Sequence, residues 1–402
     1  MSMDIKLASR LRKIKPSMTL AVTAKAAALV RQGIDVIGYG AGEPDFDTPE
    51  HIKDAAKRAL DGGATKYTDV GGTPELRKAV AEWLGKAHGL QLGAENILVS
   101  CGAKHSLYNL FQALLDEGDE VVISAPYWVS YPEIVTMAGG KPIILETTPE
   151  TGFLFSGAQL DAVCTPRTRA VILVSPSNPT GAVADKKNLE EIAEVCVRRN
   201  MLVVSDDIYR SLVYGGLQYT SIATLGKEIR DRTILIDGVS KTYAMTGWRI
   251  GFCAAPADVI KGMGVMQGQS TSNPAAVSQA AALAAITGPQ ECVEAMRREF
   301  DKRRVVMVEK LRAMPGVRCV EPRGAFYAFP DLRGCLGKHV PGGGIVDDDL
   351  ALAEYLIEKA RVAIVPGSGF GAPGFARLSY ATSMEKIETG LGRMHKALAE
   401  LH

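Results

Sequence analysis

A series of apolar runs, each five or six residues long, restricts what this chain can fold into more than any other feature. They are VVISA (121–125), PIILE (142–146), AVILVS (170–175), LVVSD (202–206) and TILID (233–237). Runs that are apolar throughout, rather than alternating, belong to strands covered on both faces. Helix-like stretches or long loops separate them, which predicts an α/β domain with a mostly parallel sheet covered by helices. NILVSCGAKHSLYNLFQALL, residues 96–115, reads as strand, glycine turn and helix, and IGFCAA, 250–255, as a further strand. Upstream, the spacing predicts helices over 19–32, 50–61 and 74–88 and a strand in IDVIGYG, 34–40. Thr48 is the expected N-cap of the helix at 50–61, with Pro49 at its first position. Near residue 289 the pattern changes to a long, charged, amphipathic helix ending at Pro315-Gly316. Beyond it lie GAFYAFPDL, a glycine-rich insertion at 337–344, a helix over 347–360, VAIVPGSGFG and FARLSYATS, which read as a second, smaller α+β domain.

Between the strands TILID and IGFCAA lies GVSKTYAMTGWRIGF, 238–252, with Lys241 and Arg249 eight residues apart. A lysine beside buried strands must desolvate its amine. Desolvation lowers its pKa and makes it a nucleophile able to form a Schiff base with an aldehyde. Arg249 suits a dianionic phosphate through its planar fork of donors. On its own the stretch fits an edge lysine and a surface arginine equally well.

Composition removes other classes. With 46 basic and 45 acidic residues the net charge is +1, so neither nucleic acid nor an anionic membrane is an expected partner. Seven cysteines without a C-x-x-C pair argue against a disulfide framework and fit a reducing cytoplasm. The six histidines form no ligand-spaced cluster, so no structural metal is expected. No apolar run is long enough to span a bilayer, and the N-terminus lacks a secretory pattern.

The string S-K-x-(x)₃-T-G-W-R-I-G resembles the lysine segment of fold-type I, class I aminotransferases, which depend on pyridoxal 5'-phosphate (PLP). From KPS at 15–17 to RLSYATS at 377–383, the chain is similar to the bacterial aspartate aminotransferases of subgroup Ib, some of which also transaminate prephenate. The resemblance implies an N-terminal arm (1–15), a small domain (16–45 and 300–402) and a large PLP-binding domain (46–299). It implies exchange of an amino group between aspartate or glutamate and 2-oxoglutarate or oxaloacetate, with prephenate as a further acceptor. A preference for aromatic or neutral amino acids, and a PLP lyase or synthase, stay open within the same fold. A PLP-binding regulatory module would need an added DNA-binding domain, for which a 15-residue arm is too short.

The resemblance also assigns residues. Lys241 would bond the cofactor. Gly102, Ala103 and Lys104, where a strand turns into a helix, would cradle its phosphate together with Arg249. Trp128, in PYWVSYPE, would stack on the pyridine ring, and Asn178, in SPSNPTG, would reach the ring's O3′ and the substrate carboxylate. By the D-x-x-Y spacing in SDDIY, Asp206 rather than Asp207 would hold the pyridine nitrogen protonated, with Tyr209 on O3′. Arg377 and the backbone N–H of Gly42 would bind the substrate α-carboxylate. Lys15 would approach the distal carboxylate. Tyr67 would enter a neighbouring subunit, which makes the site one that only a homodimer completes. Two departures matter: Gly238 replaces a phosphate-binding serine of the animal enzymes, and around 267–274 nothing matches their partner-subunit arginine.

Overall fold

The computed structural model describes residues 5–402. The first strand, β1 (Ile37–Gly38), is followed by seven that form one sheet: β2 (Ile97–Ser100), β3 (Glu120–Ala125), β4 (Lys141–Glu146), β5 (Thr168–Val174), β6 (Leu202–Asp206), β7 (Thr233–Gly238) and β8 (Gly251–Ala254). The sheet runs β2-β8-β7-β6-β5-β3-β4. All neighbours are parallel except around β8, which is antiparallel to both β7 and β2. Two antiparallel steps leave β2 pointing the same way as β7. The carboxyl ends of β2, β3, β5, β6 and β7 therefore open on one edge, where ligands bind in open α/β sheets.

The apolar runs have the cause expected of them. Ile234 and Ile236 of β7 pack with Leu107, Leu110 and Phe111 of a helix on one face, α4 (Ala103–Leu114). Leu235, between them, packs with Val80 and Leu84 of α3 (Pro74–His88) on the other. Both faces are covered by apolar packing, so the polar groups open to a ligand lie at the edge of the sheet.

A shorter assembly closes over that edge. β1 pairs in parallel with β10 (Val362–Ala363), Ile37 opposite Val362. β12 (Ala376–Ser379) lies antiparallel between β11 (Val365–Pro366) and β9 (Tyr327–Ala328), with Arg377 opposite Val365. The long helix spans Glu291–Arg312 and buries Phe300, Met307 and Leu311 against Phe326 and Tyr380. Its Arg303 bonds Asp45 at 2.7 Å, which ties the incoming loop to the helix. Helix α1 (Met18–Arg31) starts at the Ser17 cap, whose hydroxyl accepts from Leu20 N–H.

Two local expectations change. Only Ile37 and Gly38 of the stretch 34–40 form a strand. Thr48 does not cap α2 (Glu50–Asp61), whose cap position is Pro49. Its hydroxyl instead donates to Ala244 O at 2.7 Å and accepts from Trp248 Nε1 at 2.9 Å. Both partners lie in the loop after Lys241, and a tertiary pair of bonds outweighs one local cap.

Gly251 shows how tightly β8 sits against the edge. A Cβ there would lie 2.1 Å from Ala103 N, at the start of α4. Gly251→Ala should destabilise the protein by at least about 1–3 kcal/mol through overpacking. Thermal unfolding beside the wild type checks this, and an unchanged melting temperature would show that α4 yields freely.

Candidate active site

Asp206 ends β6 with its side chain on the α4 face and is buried. Its Oδ2 accepts from the Tyr131 hydroxyl at 2.6 Å. Burial pushes its pKa up to about 6, while the Tyr131 bond and the Lys241 charge act in the opposite direction. Asp207 faces the other side of the sheet, where it accepts from Ser205 Oγ at 2.9 Å. Alternation along a strand separates the two carboxylates.

Lys241 follows β7 in the turn that the apolar strands on either side hold in place. Its Nζ donates to the backbone carbonyl of Gly42. Desolvation brings its pKa down to about 8; Glu43 opposes this, and the charges of Arg377 and Arg249 add to it. Arg377 is the largest fully buried side chain. Its Nη1 donates to Asn178 Oδ1 at 3.0 Å and its Nη2 to Gly40 O at 2.8 Å, while Nε has no partner among the described residues. The guanidinium carbon lies 4.5 Å from the Tyr327 ring centroid and 5.1 Å from that of Phe370. A cation so enclosed, with a donor still unmatched, calls for an anion. Gly42 borders it: a Cβ there would come 3.5 Å from the Tyr327 hydroxyl and 4.0 Å from Arg377 Nη2. The Tyr327 hydroxyl also meets that of Tyr209, at 2.8 Å.

At the end of β2 Gly102 stands before α4 with φ +90 and no side-chain cap. The first N–H groups of α4 thus face outward with the positive end of the helix dipole. Arg249, itself left-handed at φ 56, donates from Nη2 to Cys101 O at 3.4 Å and from Nη1 to Thr246 O at 3.0 Å. A Cβ on Gly102 would stand 2.5 Å from Arg249 Nη2. Only glycine lets the Arg249 fork come so close to the start of α4, and the positive charge gathered there suits a phosphate. Lys104 directs its ammonium over the Trp128 ring, 4.8 Å from the centroid. Burial and then the Arg249 charge lower its pKa.

The tertiary structure thus brings together Gly42, Gly102, Ala103, Lys104, Trp128, Asn178, Asp206, Tyr209, Lys241, Arg249 and Arg377. Two residues stay outside. Tyr67 is 90% exposed, in a loop that Gln279 anchors through Thr68 Oγ1 at 3.0 Å. Lys15 is exposed, although its backbone N–H donates to Glu133 Oε2 at 2.9 Å, on α5 (Tyr131–Met137). Sequence reasoning missed Tyr131, Tyr327 and the carbonyl of Gly40. Tyr131 stands in the same PYWVSYPE string as Trp128, and its ring meets the indole edge-on at 5.2 Å. That proximity was the available signal; nothing local pointed to Gly40.

A lysine, a buried acid and a buried arginine at the carboxyl edge of this sheet define a fold-type I architecture. Residues 34–394 match the family "Aminotransferase class I and II", and the chain belongs to that family. An aspartate aminotransferase of Geobacillus stearothermophilus is 50% identical over 392 residues, 98% of either chain. An aspartate/prephenate aminotransferase of Cereibacter sphaeroides is 47% identical, over 98% of this chain and 99% of its own. The crystal structure of the aspartate aminotransferase from Rhizobium meliloti superposes with a TM-score of 0.96 at 44% identity, covering 99% of this chain and all of that one.

The Tyr131 bond should hold the Asp206 carboxyl in its charged form. Tyr131→Phe removes a donor from that form and should raise the Asp206 pKa by about one to two units. Carbon-13 titration of labelled aspartate in the cofactor-free protein measures it, and an unmoved midpoint would assign the control to burial alone.

Proposed function

We propose that this aminotransferase uses PLP to move an amino group between aspartate or glutamate and 2-oxoglutarate or oxaloacetate, with prephenate as a further acceptor. The observation that carries the reading is the convergence of three groups on one edge: the desolvated Lys241 amine, the buried Asp206 carboxylate and the enclosed Arg377 fork. The residues present fit the cofactor. The hollow at Gly102 with Ala103, Lys104 and Arg249 suits its phosphate, Trp128 its ring face, Asp206 its ring nitrogen, and Asn178 and Tyr209 its ring oxygen. Lys241 suits its aldehyde. When bound, PLP supplies a carbonyl that takes up the amino group and a protonated ring that accepts electrons from the substrate Cα.

The chain's own groups do the rest. Arg377 and the Gly42 N–H hold the substrate α-carboxylate, and Asn178 fixes the arginine fork. This clamp orients the Cα–H bond toward Lys241. With a pKa near 8, the lysine is deprotonated in a useful fraction at neutral pH. Its Nζ can then take the proton from Cα and return it as the amino group changes hands. Asp206, with a pKa near 6, is mostly ionised at the same pH and is drawn further toward the charged form by a cation.

In this reading residues 46–299 hold the cofactor. Residues 16–45 and 300–402 form a small domain that brings Arg377 over it, and the pairing of Ile37 with Val362 supports that division. Tyr67, exposed on one chain, would reach the cofactor phosphate of a second, so that the homodimer completes the site. The relatives named for aspartate and for aspartate/prephenate support the substrate class. None of the helices described is long and apolar enough to cross a membrane. We place the enzyme in the cytoplasm on the cysteine usage alone.

Lys241→Ala should abolish turnover and the absorbance of lysine-bound cofactor. Borohydride reduction followed by peptide mapping locates the attachment, and a label on any other lysine would overturn the assignment.

Lys15 is the residue proposed for the distal carboxylate. Its hydrogen bond to Glu133 lays the KPS segment over α5, next to the loop that carries Trp128. An ammonium on a flexible stem can meet both short and bulky dicarboxylates. Lys15→Ala should cost on the order of 1.5–3 kcal/mol, or one to two powers of ten, in kcat/KM for dicarboxylic substrates. It should spare alanine, and an equal loss on both substrate types would return Lys15 to solvent.

A further inference from the structure

The face of the sheet turned away from Asp206 carries a second set of charges that the reaction above does not use. Arg210 Nε donates to Asp237 Oδ2 at 2.6 Å, and Asp237 Oδ1 accepts the Gly238 N–H at 2.7 Å. The Asp237 side chain is fully buried and that of Arg210 is 13% exposed. The guanidinium carbon lies 4.1 Å from the centroid of the Trp83 ring. Around the pair stand Asp207, Tyr219, Tyr243 and, from α3, His88, whose Nε2 is 3.8 Å from Asp207 Oδ2.

A buried ion pair is a poor stabiliser, since apolar side chains of similar volume pack as well without the cost of desolvation. This face has such side chains in plenty: Leu235, Val239 and Tyr243 belong to its apolar cluster. Its placement is the informative part. Arg210 follows Tyr209 directly and Asp206 by four residues. Asp237 precedes Gly238 and stands four residues before Lys241. One ion pair therefore joins the segment carrying the acid to the segment carrying the lysine, across β6 and β7.

We propose that Arg210 and Asp237 are positioning residues that act as a neutral pair, holding these two segments together so that neither charge acts unmatched on Asp206 or Lys241. The proposal rests on the assignment of those two residues to the cofactor. Its electrostatic side is visible in Asp206, whose pKa the Asp237 charge helps to raise. Burial, helped by the Arg210 charge, holds His88 neutral, with a pKa down to about 3. Asp207, raised by burial to about 7, titrates in the working range, and Asp207→Asn removes its step as a control.

The sign can be tested. Asp237→Asn leaves the Arg210 cation unmatched, and a positive charge disfavours a proton on the nitrogen of Lys241. In the PLP-loaded enzyme, the pH midpoint of the lysine-bound absorbance should fall by about half a unit or more. kcat should drop while KM changes little, because Arg377 is untouched. The double variant Arg210→Met with Asp237→Asn removes both charges and should bring the midpoint most of the way back. Arg210→Lys keeps the charge but alters the packing on Trp83; it should lower the melting temperature and leave the midpoint in place. A midpoint that follows melting temperature rather than charge, or that shifts equally in the single and double variants, overturns the proposal. Wild-type enzyme without any lysine-bound absorbance would instead remove the Lys241 assignment, and this inference with it.

Discussion

Burial of the central sheet on both faces is the constraint from which the site follows. β5, β6 and β7 are packed above and below by helices, so a ligand reaches polar groups only where the strands end. Several of those ends bear a group that would be costly to bury unmatched: Asp206 as the last residue of β6, Lys241 after β7, Asn178 after β5 and the open start of α4 after β2. Asp206 and Lys241 are desolvated by the same packing that makes the strands apolar. Desolvation raises the carboxyl pKa of Asp206 and lowers the amine pKa of Lys241, drawing both toward neutrality. Stability and chemistry therefore draw on one arrangement.

The smaller assembly contributes a single decisive charge. Arg377 sits in the middle strand of a three-stranded sheet, clasped by Tyr327 and Phe370 and bonded to Gly40 and Asn178. Asn178 comes from the large sheet and Gly40 from the N-terminal segment, so three separate stretches of chain meet at one guanidinium. In the proposed reaction, preorganisation of this kind would meet the cost of orienting a carboxylate before the substrate arrives.

Much of this was legible in the chain itself. The strands VVISA, LVVSD and TILID announce themselves because burial on two faces leaves no room for polar alternation. Lys241 stood out because a lysine between such strands needs a reason. Asp206 and Asp207 differ less in sequence than in space: only strand alternation, with Tyr131 waiting on one face and Ser205 on the other, assigns them opposite sides. Thr48 misled because capping is a local rule, and its hydroxyl found partners 196 and 200 residues away, at Ala244 and Trp248.

Local pattern and composition by themselves determined the α/β class and the positions of most strands and helices, whereas the role read for Lys241 came from the resemblance of its whole S-K-x-(x)₃-T-G-W-R-I-G string. These depend on periodicity and on residues close in the chain, which a linear string records. The tertiary structure alone decided which polar groups meet. Tyr131 with Asp206, Tyr209 with Tyr327, Arg377 with Gly40, and Arg210 with Asp237 are contacts between separate elements. Their geometry arises from how strands and helices stack, and their pKa shifts arise from a burial that no single segment can create.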